Sequence, residues 1–425
     1  MLRLAKTAFL LLIFSLSFMK PAIFVGGLAV TATDAIFIIT CAALAAAVAT
    51  GETRLRWNSF YSVLLFYFTA LLISLLGSAE PQQAALKLAS QAYLLALPVL
   101  ACTLVDSRDE LRSALRCWLA ASAIVGALGA VAVAFFFLGI GGPLLEFARH
   151  DFGTLPPGPY LRVESTFPYP AMLCNYLTVS LMVLLVSHRL GWIGAAPFRL
   201  LLALIVATAL FSLTPGLGGI FLAIGLWLFI RAEDRSRPLA LVALAAGAGA
   251  ALLFVLAATV TPIVHPTAPF LIRPPGLDLE LAPSVRMMTW IDSWSRFSEH
   301  WLTGTGIGTD AAAVRYVDPS GYTHWLTDAH NVFLNLAVQC GLLGIAGLAL
   351  LIFQVGRLTR PLRGDGDKLI ALGLGLAWLN AFAYQGLTGS YEDARHLWVL
   401  LGLFLVAVRV AEPDGARAPA PTGRP

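Results

Sequence analysis

The sequence is poor in charge. Only 12% of its residues are Asp, Glu, Lys or Arg, whereas 58% are hydrophobic, and the mean hydropathy is +0.80. Soluble domains carry about 25% charged residues, so a chain of 425 residues with this composition cannot cover a water-facing surface. The composition therefore excludes a soluble enzyme, a nucleic-acid-binding protein and a disordered chain.

Cysteine is also scarce. The chain has five cysteines, and all of them fall in or beside long apolar runs. None lies in a segment that we expect to be a loop outside the membrane, so the sequence predicts no disulfide framework.

Long apolar runs occur along the whole chain instead. Runs of this length predict an all-α polytopic membrane protein with about twelve transmembrane helices. They lie near residues 7–28 (or 7–20, since Lys20-Pro21 interrupts this run), 32–50, 58–77, 84–104, 114–139, 167–187, 200–213, 216–230, 239–261, 329–355, 369–388 and 396–410.

The basic residues predict the orientation of these spans. With the N-terminus in the cytoplasm, every predicted inside loop carries arginine or lysine, and basic residues are fewer in the outside loops. Both termini are then inside, residues 1–411 form one transmembrane domain, and the Pro-, Ala- and Arg-rich residues 412–425 form a disordered cytoplasmic tail.

The segment 262–328, between the ninth and tenth spans, is the longest outside loop and is rich in aromatic residues. We expect this loop to be largely helical, with a helix from Pro283 to Trp301 whose two faces differ. One face carries Met287, Trp290, Ile291, Trp294, Phe297 and Trp301, and the other carries Arg286, Thr289, Ser293, Arg296 and His300. Such a helix lies along the membrane interface, with its basic groups either in a polar cavity or simply solvated.

Polar motifs surround this helix in the sequence. A glycine run at 304–308 follows no predicted strand, so it indicates a tight turn with exposed N–H groups rather than a dinucleotide fingerprint. His330 follows Asp328 at the mouth of the tenth span, where an ionisable group tends to be functional. Arg162 and Glu164 precede the sixth span and could form a local ion pair, and Glu392 lies in a charged turn that could be a solvated hairpin.

Taken in order, these motifs resemble the signature region of bacterial O-antigen ligases and O-antigen polymerases. The resemblance covers residues 284–345 through Ser284-Val285-Arg286, Trp290, 301–308, Ala329-His330-Asn331 and 341–344, and residues 162–170 resemble a shorter upstream motif. The chain departs from the family at two positions. One is His300-Trp301, and the other is Thr214-Pro215-Gly216, which replaces a Ser-Arg-Gly turn that the family often has.

The resemblance implies a multi-pass glycosyltransferase of the bacterial inner membrane with its active site facing the periplasm. The donor would be a glycan on undecaprenyl pyrophosphate, and the acceptor would be the lipid A core for a ligase or a lipid-linked repeat unit for a polymerase. The reaction would be inverting and metal-independent and would need no cofactor. The catalytic arginines and histidine of the family carry over to Arg162, Arg286 and His330.

The residue types suit that chemistry. Guanidinium groups stay charged and bind phosphate oxygens in pairs, so Arg162 and Arg286 could stabilise a leaving pyrophosphate. His330 could accept the proton of the acceptor hydroxyl, or could instead hydrogen-bond the substrate. Secondary candidates for binding pyrophosphate or sugar are Arg296, Lys87, Glu164, Asp328, Asn331, Gly304, Gly306 and Glu392, among which the three carboxylates are reserve bases and Lys87 could simply reach the interface.

We expect an O-antigen ligase-like enzyme of lipopolysaccharide biosynthesis that binds membrane lipids and no nucleic acid. A polymerase that extends O-antigen or exopolysaccharide is the first alternative. A twelve-span transporter is the second, although no paired halves are visible in the sequence. A non-enzymatic partner of a flippase is the third.

Overall fold

The structure is a computed structural model of the whole chain, and it is mostly helical. It describes residues 1–25, 28–150, 161–230, 260–261, 282–283, 285–317, 323–362 and 366–411, together with the single positions 241, 244 and 247. The predicted ninth span and the predicted disordered tail lie almost entirely outside these ranges.

The described helices follow the apolar runs of the sequence. They are α1 Leu2–Ser15, α2 Ala32–Ala49, α3 Tyr61–Ser74, α4 Pro81–Leu104, α5 Arg108–Phe137, α6 Pro143–Ala148, α7 Pro170–Arg189, α8 Ala195–Phe211, α9 Leu217–Ile230, α10 Val285–Glu299, α11 Val332–Thr359, α12 Asp367–Trp378 and α13 Arg395–Ala411. A 3₁₀ turn, Leu75–Gly77, extends α3, and a π-helix, Leu379–Tyr384, and a 3₁₀ turn, Gln385–Leu387, extend α12.

Three short antiparallel strand pairs lie between the helices. They are β1 Ile23–Val25 with β2 Leu28–Val30, β3 Val260–Thr261 with β4 Ala282–Pro283, and β5 Val314–Val317 with β6 Thr323–Leu326. Their registers place Ile23 opposite Val30, Val260 opposite Pro283 and Val314 opposite Leu326. The long loop is therefore not purely helical as predicted, because it contains α10 followed by the β5–β6 hairpin.

Length and composition make this a multi-pass membrane protein. Among the described residues, six helices are long and apolar enough to cross a bilayer, namely α2, α4, α5, α7, α11 and α12 with its extension. Shorter apolar helices occupy Tyr61–Gly77, Ala195–Phe211 and Leu217–Ile230.

The first predicted span, 7–28, is wrong as a single helix. Helix α1 ends at Ser15, and the chain then turns into the β1–β2 hairpin. Proline lacks an amide hydrogen and disfavours helical geometry in the residue before it, so Pro21 prevents helix at Lys20. The hydroxyl of Ser15 also binds the carbonyl of Leu12, at 2.9 Å, which competes with helix propagation.

Helix α7 is the centre of the bundle. Its apolar window is 89% buried, whereas that of the peripheral α2 is 28% buried. Helix α7 is buried around its whole circumference, as expected of a helix surrounded by other helices. The helices that pack against α7 each have one end on the same side of the molecule.

One end of the bundle carries the polar motifs, and we call it the site end. There α4, α7, α11 and α13 begin, and α1, α8 and the extended α12 end. The amides of Met19 and Lys20 both donate to the Thr166 carbonyl, at 3.1 and 3.0 Å. The side-chain amide of Asn331 donates to the Leu387 carbonyl at 3.2 Å. The first two bonds tie the end of α1 to the segment before α7, and the third ties the start of α11 to the end of the extended α12.

Candidate active site

The segment that carries Arg162 is held rigidly at the site end. Buried Glu164 forms an ion pair with Lys20 and a hydrogen bond with Nδ1 of His150, rather than the local ion pair with Arg162 that the sequence suggested. Ser165 has a φ of 50°, which is strained for a residue with a side chain. Arg162 is thereby presented to the α8–α9 turn, where its Nε donates to the Ser212 carbonyl at 3.4 Å.

Arg286 lies in the first turn of α10 and points to the end of the extended α12. Its Nη1 donates to the Thr388 carbonyl at 3.2 Å. Burial lowers the pKa of Arg286 to about 10, and the charge of Arg162 acts in the same direction, while Tyr391 and Asp328 oppose it. The two arginines are thus near enough to repel each other, and both remain charged at neutral pH, so the site concentrates positive charge.

His330 stands beside these arginines in a strained backbone position. Its φ is 50°, and its amide donates to Oδ1 of Asp328 at 2.5 Å. The side chain is 53% exposed, and its Nδ1 lies 3.6 Å from the same Asp328 oxygen. Desolvation by the surrounding protein lowers the pKa of His330, Arg286 lowers it further, and Asp328 opposes both. The imidazole is therefore neutral at pH 7 and able to accept a proton.

The neighbours of His330 in its motif have structural partners. Ala329 is fully buried, and its carbonyl accepts from Nε1 of Trp290 at 2.8 Å, which joins the motif to α10. Asn331 is the N-cap of α11, because its Oδ1 accepts from the amides of Phe333 and Leu334. The side chain of Asn331, which was predicted to bind substrate, has protein partners on both of its polar atoms. Its Oδ1 caps α11, and its Nδ2 donates to the Leu387 carbonyl.

An acidic cavity of about 190 Å³ lies next to His330. Its polar lining includes Lys87, Asp328, Asn335, Ser390, Glu392 and Asp393. Asp328 accepts from the Ser390 hydroxyl at 2.5 Å and from Nδ2 of Asn335 at 3.2 Å. Lys87 pairs with Asp393, so it is part of the cavity wall rather than a lone side chain that reaches the interface.

Of the carboxylates that line this cavity, Glu392 has the fewest hydrogen-bond partners. Its Oε1 accepts from Nδ2 of Asn335 at 3.0 Å, whereas Oε2 is buried and has no hydrogen-bond partner in the described part of the chain. Burial raises the pKa of Glu392 to about 7, the charge of Asp393 adds to this effect, and Lys87 opposes it. Glu392 is thus enclosed by protein and does not lie in a solvated hairpin.

The glycine run is a joint between the long loop and α11. Helix α11 is kinked at Gly341, where φ is 62° and ψ is −158°. The amides of Thr305 and Gly306 donate to the carbonyls of Val338 and Gln339, at 2.8 and 3.0 Å, just before the kink. The amide of Gly304 donates to the His300 carbonyl at 2.8 Å. These N–H groups therefore have protein acceptors, in contrast to the exposed N–H groups that the sequence suggested as phosphate ligands.

Helix α10 buries two small polar residues and exposes Trp294. Thr289 and Ser293 are buried, and Ser293 donates to the Ala311 carbonyl at 2.9 Å, while Trp294 is 62% exposed. Arg296 pairs with Asp292 of the same helix at 2.9 Å. The structure thus brings Arg286 toward the centre of the site and ties Arg296 to the surface of α10.

The sequence analysis missed Asn335 and Ser390, which hold the carboxylates of the cavity. Asn335 also accepts from the Ala329 amide at 3.0 Å. A signal was present, since Asn331 and Asn335 stand one turn apart in an apolar span, and a buried amide in such a span requires partners.

Comparison with known families gives a match to the O-antigen ligase model over residues 175–349. The match confirms the resemblance of this region to the O-antigen ligase family that the sequence motifs predicted. The matched region contains Arg286, His330 and the glycine joint, whereas Arg162 and Glu392 come to the same site from either side of it. No curated protein matches the chain at a significant level.

The match relates the site to one general class of reaction. The O-antigen ligase family comprises glycosyltransferase-like membrane enzymes of ligase or polymerase type that act on lipid-linked glycans. That chemistry is the context for three features of the site end, namely the positive charge, the neutral histidine and the acidic cavity.

Proposed function

We propose that this protein is an O-antigen ligase that transfers a glycan from undecaprenyl pyrophosphate to the lipid A core in lipopolysaccharide biosynthesis. The observation that carries the proposal is the convergence of Arg162, Arg286 and His330 at one end of a membrane domain of this family. Two half-buried cations next to a neutral base suit a donor that leaves as an anion. A transporter would not require that combination.

The arginines act on the leaving group. As the bond between the anomeric carbon and the pyrophosphate oxygen breaks, negative charge accumulates on that oxygen. Arg162 and Arg286 are fixed in place by the Ser212 and Thr388 carbonyls before the donor binds. Preorganised cations in a desolvated site stabilise such charge more strongly than water does, so no metal ion is required.

His330 acts on the acceptor. Its Nδ1 faces Asp328, which leaves Nε2 to accept the proton of the acceptor hydroxyl. The hydroxyl oxygen attacks the anomeric carbon from the side opposite the pyrophosphate, a new glycosidic bond forms, and undecaprenyl pyrophosphate departs. The configuration at the anomeric carbon is inverted. Asp328 stabilises the imidazolium that results.

The acidic cavity would receive the acceptor sugar. Carboxylates accept hydrogen bonds from the hydroxyl groups of a saccharide and repel a pyrophosphate. The acceptor sugar would therefore bind in the cavity, and the donor pyrophosphate would bind at the arginines. Glu392, whose pKa is raised to about 7 by burial, is the second candidate for the base.

The proposed enzyme spans the bacterial inner membrane twelve times with both termini in the cytoplasm, and its site end faces the periplasm. The distribution of basic residues supports this topology. On the opposite end of the bundle, Lys6 pairs with Glu110 and Arg56 pairs with Asp106, as is usual for a cytoplasmic face rich in basic residues.

Transfer by the purified protein in proteoliposomes tests the proposal. The donor is a glycan on undecaprenyl pyrophosphate, the acceptor is either lipid A core or more donor, and a chelator is present throughout. We expect glycan on lipid A core, and loss of transfer in Arg286→Ala and His330→Ala. A ladder of longer lipid-linked glycans would identify a polymerase instead.

Arg296→Ala is the matched control, because that arginine lies on the same helix but pairs with Asp292. It should retain most of the transfer activity. If folded protein with intact donor transfers glycan to neither acceptor, the glycosyltransferase proposal fails and a transporter becomes the better explanation.

A further inference from the structure

The extension of α12 is irregular where it approaches the site. After Trp378 the chain forms a π-helix, Leu379–Tyr384, and then a 3₁₀ turn, Gln385–Leu387. Isolated π segments are rare and occur mostly at functional sites. This irregular end delivers two carbonyls to the site, that of Leu387 to Asn331 and that of Thr388 to Arg286.

Gln385 determines where the Thr388 carbonyl lies. The Gln385 carbonyl accepts from both the amide and the hydroxyl of Thr388, at 2.9 and 3.1 Å. Thr388 is therefore attached to Gln385 by two hydrogen bonds, and Arg286 is attached to Thr388 by one. A shift of Gln385 is transmitted to the guanidinium of Arg286.

The side chain of Gln385 is buried and fully hydrogen-bonded. Its Nε2 donates to the Gly216 carbonyl at 2.7 Å and to the Thr178 hydroxyl at 2.9 Å, and its Oε1 accepts from Nδ2 of Asn175 at 2.8 Å. Oδ1 of Asn175 in turn accepts from Nε2 of His396, at 2.7 Å. One amide thus joins α7, the α8–α9 turn and the extended α12.

The α8–α9 turn leads to the other arginine. Gly216, held by Gln385, and Ser212, which accepts from Arg162, belong to the same short connection between the two helices. The Phe211 carbonyl at the start of that connection accepts from the Val163 amide at 2.8 Å, so the turn also holds the backbone next to Arg162.

We infer that Gln385 is a positioning residue that sets the spacing of Arg162 and Arg286 by hydrogen-bonding the α8–α9 turn and the Thr388 segment at once. This inference rests on the proposed function, because it assumes that both arginines hold the donor pyrophosphate. Gln385 itself is buried, with 1% of its surface exposed, so it would act through the two segments that it holds.

Steady-state transfer by Gln385→Met and Gln385→Glu tests the inference. Methionine keeps the length of the side chain and removes the amide, whereas glutamate keeps the acceptor for Asn175 and loses both donors. A misplacement of about 1 Å costs roughly 100-fold in rate, so we expect kcat/KM for the donor to fall by about that factor. The KM of the donor and the inhibition constant of inorganic pyrophosphate should rise, and the KM of the acceptor should not change.

Asn380→Leu is the matched control. Asn380 is a buried amide in the adjoining π-helix, but its Nδ2 donates to the Gly219 carbonyl at 2.8 Å, within α9 rather than in the α8–α9 turn. A purely structural defect lowers the active fraction and hence kcat, with both KM values unchanged. That result for folded Gln385→Met or Gln385→Glu, or behaviour equal to that of Asn380→Leu, would overturn the inference.

Failure of the proposed function gives a different result. If the unmodified protein transfers no glycan, the ligase proposal itself fails, whatever Gln385 does. If the unmodified protein transfers glycan and Arg286→Ala does not, then normal donor KM values in both Gln385 variants count against the positioning role alone.

Discussion

Replacement of Gly341 by alanine should weaken the joint on which the site depends. Gly341 adopts a backbone conformation, φ 62° and ψ −158°, that is essentially restricted to glycine. A Cβ atom there would lie 2.4 Å from the Leu302 carbonyl oxygen and 2.6 Å from the Gly304 amide nitrogen. Both neighbours are backbone atoms, so the clash cannot be relieved by rotating a side chain.

The cost of Gly341→Ala can be estimated from two contributions. The backbone strain costs about 1–3 kcal/mol. The joint contains hydrogen bonds from Thr305 to Val338, from Gly306 to Gln339 and from Leu342 to Trp301. If two or three of these are lost at about 1 kcal/mol each, the variant is destabilised by about 3–6 kcal/mol.

Thermal unfolding in detergent measures this effect, and Gly356→Ala is the control. Gly356 lies on the same helix, and a Cβ there would meet nothing within 4 Å. Alanine is the better helix former by about 1 kcal/mol, so Gly356→Ala should unfold at the same temperature or higher. Gly341→Ala should unfold several degrees lower and transfer less glycan. Equal stability of the two variants would refute the assigned role of the joint.

Two further predictions concern the chemistry. Arg286→Lys retains the charge but not the planar fork, so kcat/KM for the donor should fall by about 100-fold, and wild-type kinetics in this variant would exclude a paired contact with phosphate. Because burial and Arg286 lower the pKa of His330 below the usual 6.5, the midpoint of the acidic limb of the pH–rate profile should lie below pH 6.5. Asp328→Asn removes the charge that opposes this shift, so the acidic limb of the pH–rate profile should move to lower pH. Glu392→Gln should leave the limb in place, and disappearance of the limb would make Glu392 the base.

The apolar runs predicted most of the helices because a lipid-facing surface constrains every residue in a span. The prediction failed between α1 and α2, where a run of apolar residues continues through a β-hairpin. Hydropathy cannot distinguish an apolar hairpin from a helix, and only Pro21 and the nearby serines indicated the break. The β5–β6 hairpin was missed for a related reason, since its strands are only four residues long and too short to show a clear alternation.

The side chains of the site were predicted unequally well. Arg162, Arg286 and His330 stand next to motifs that can be recognised, and charged groups near spans attract attention because they are costly there. Gln385 and Asn335 are neutral amides within apolar runs. Their importance depends on which carbonyls and carboxylates the fold brings to them from segments more than 50 residues away, and a single sequence contains no record of those distances.

The motifs of this chain therefore divide into residues that do chemistry and residues that set geometry. His330 and Arg286 are carried by the beginnings of α11 and α10, and the relative position of these helices is fixed at their far side by the glycine joint and at their near side by the bond from Trp290 to Ala329. A donor with several negative charges needs cations at a fixed spacing, since a flexible pair would separate by mutual repulsion. The glycines, the tryptophan and the strained backbone at Ser165 and His330 are best explained as the means by which two repelling arginines and a base are kept at one site.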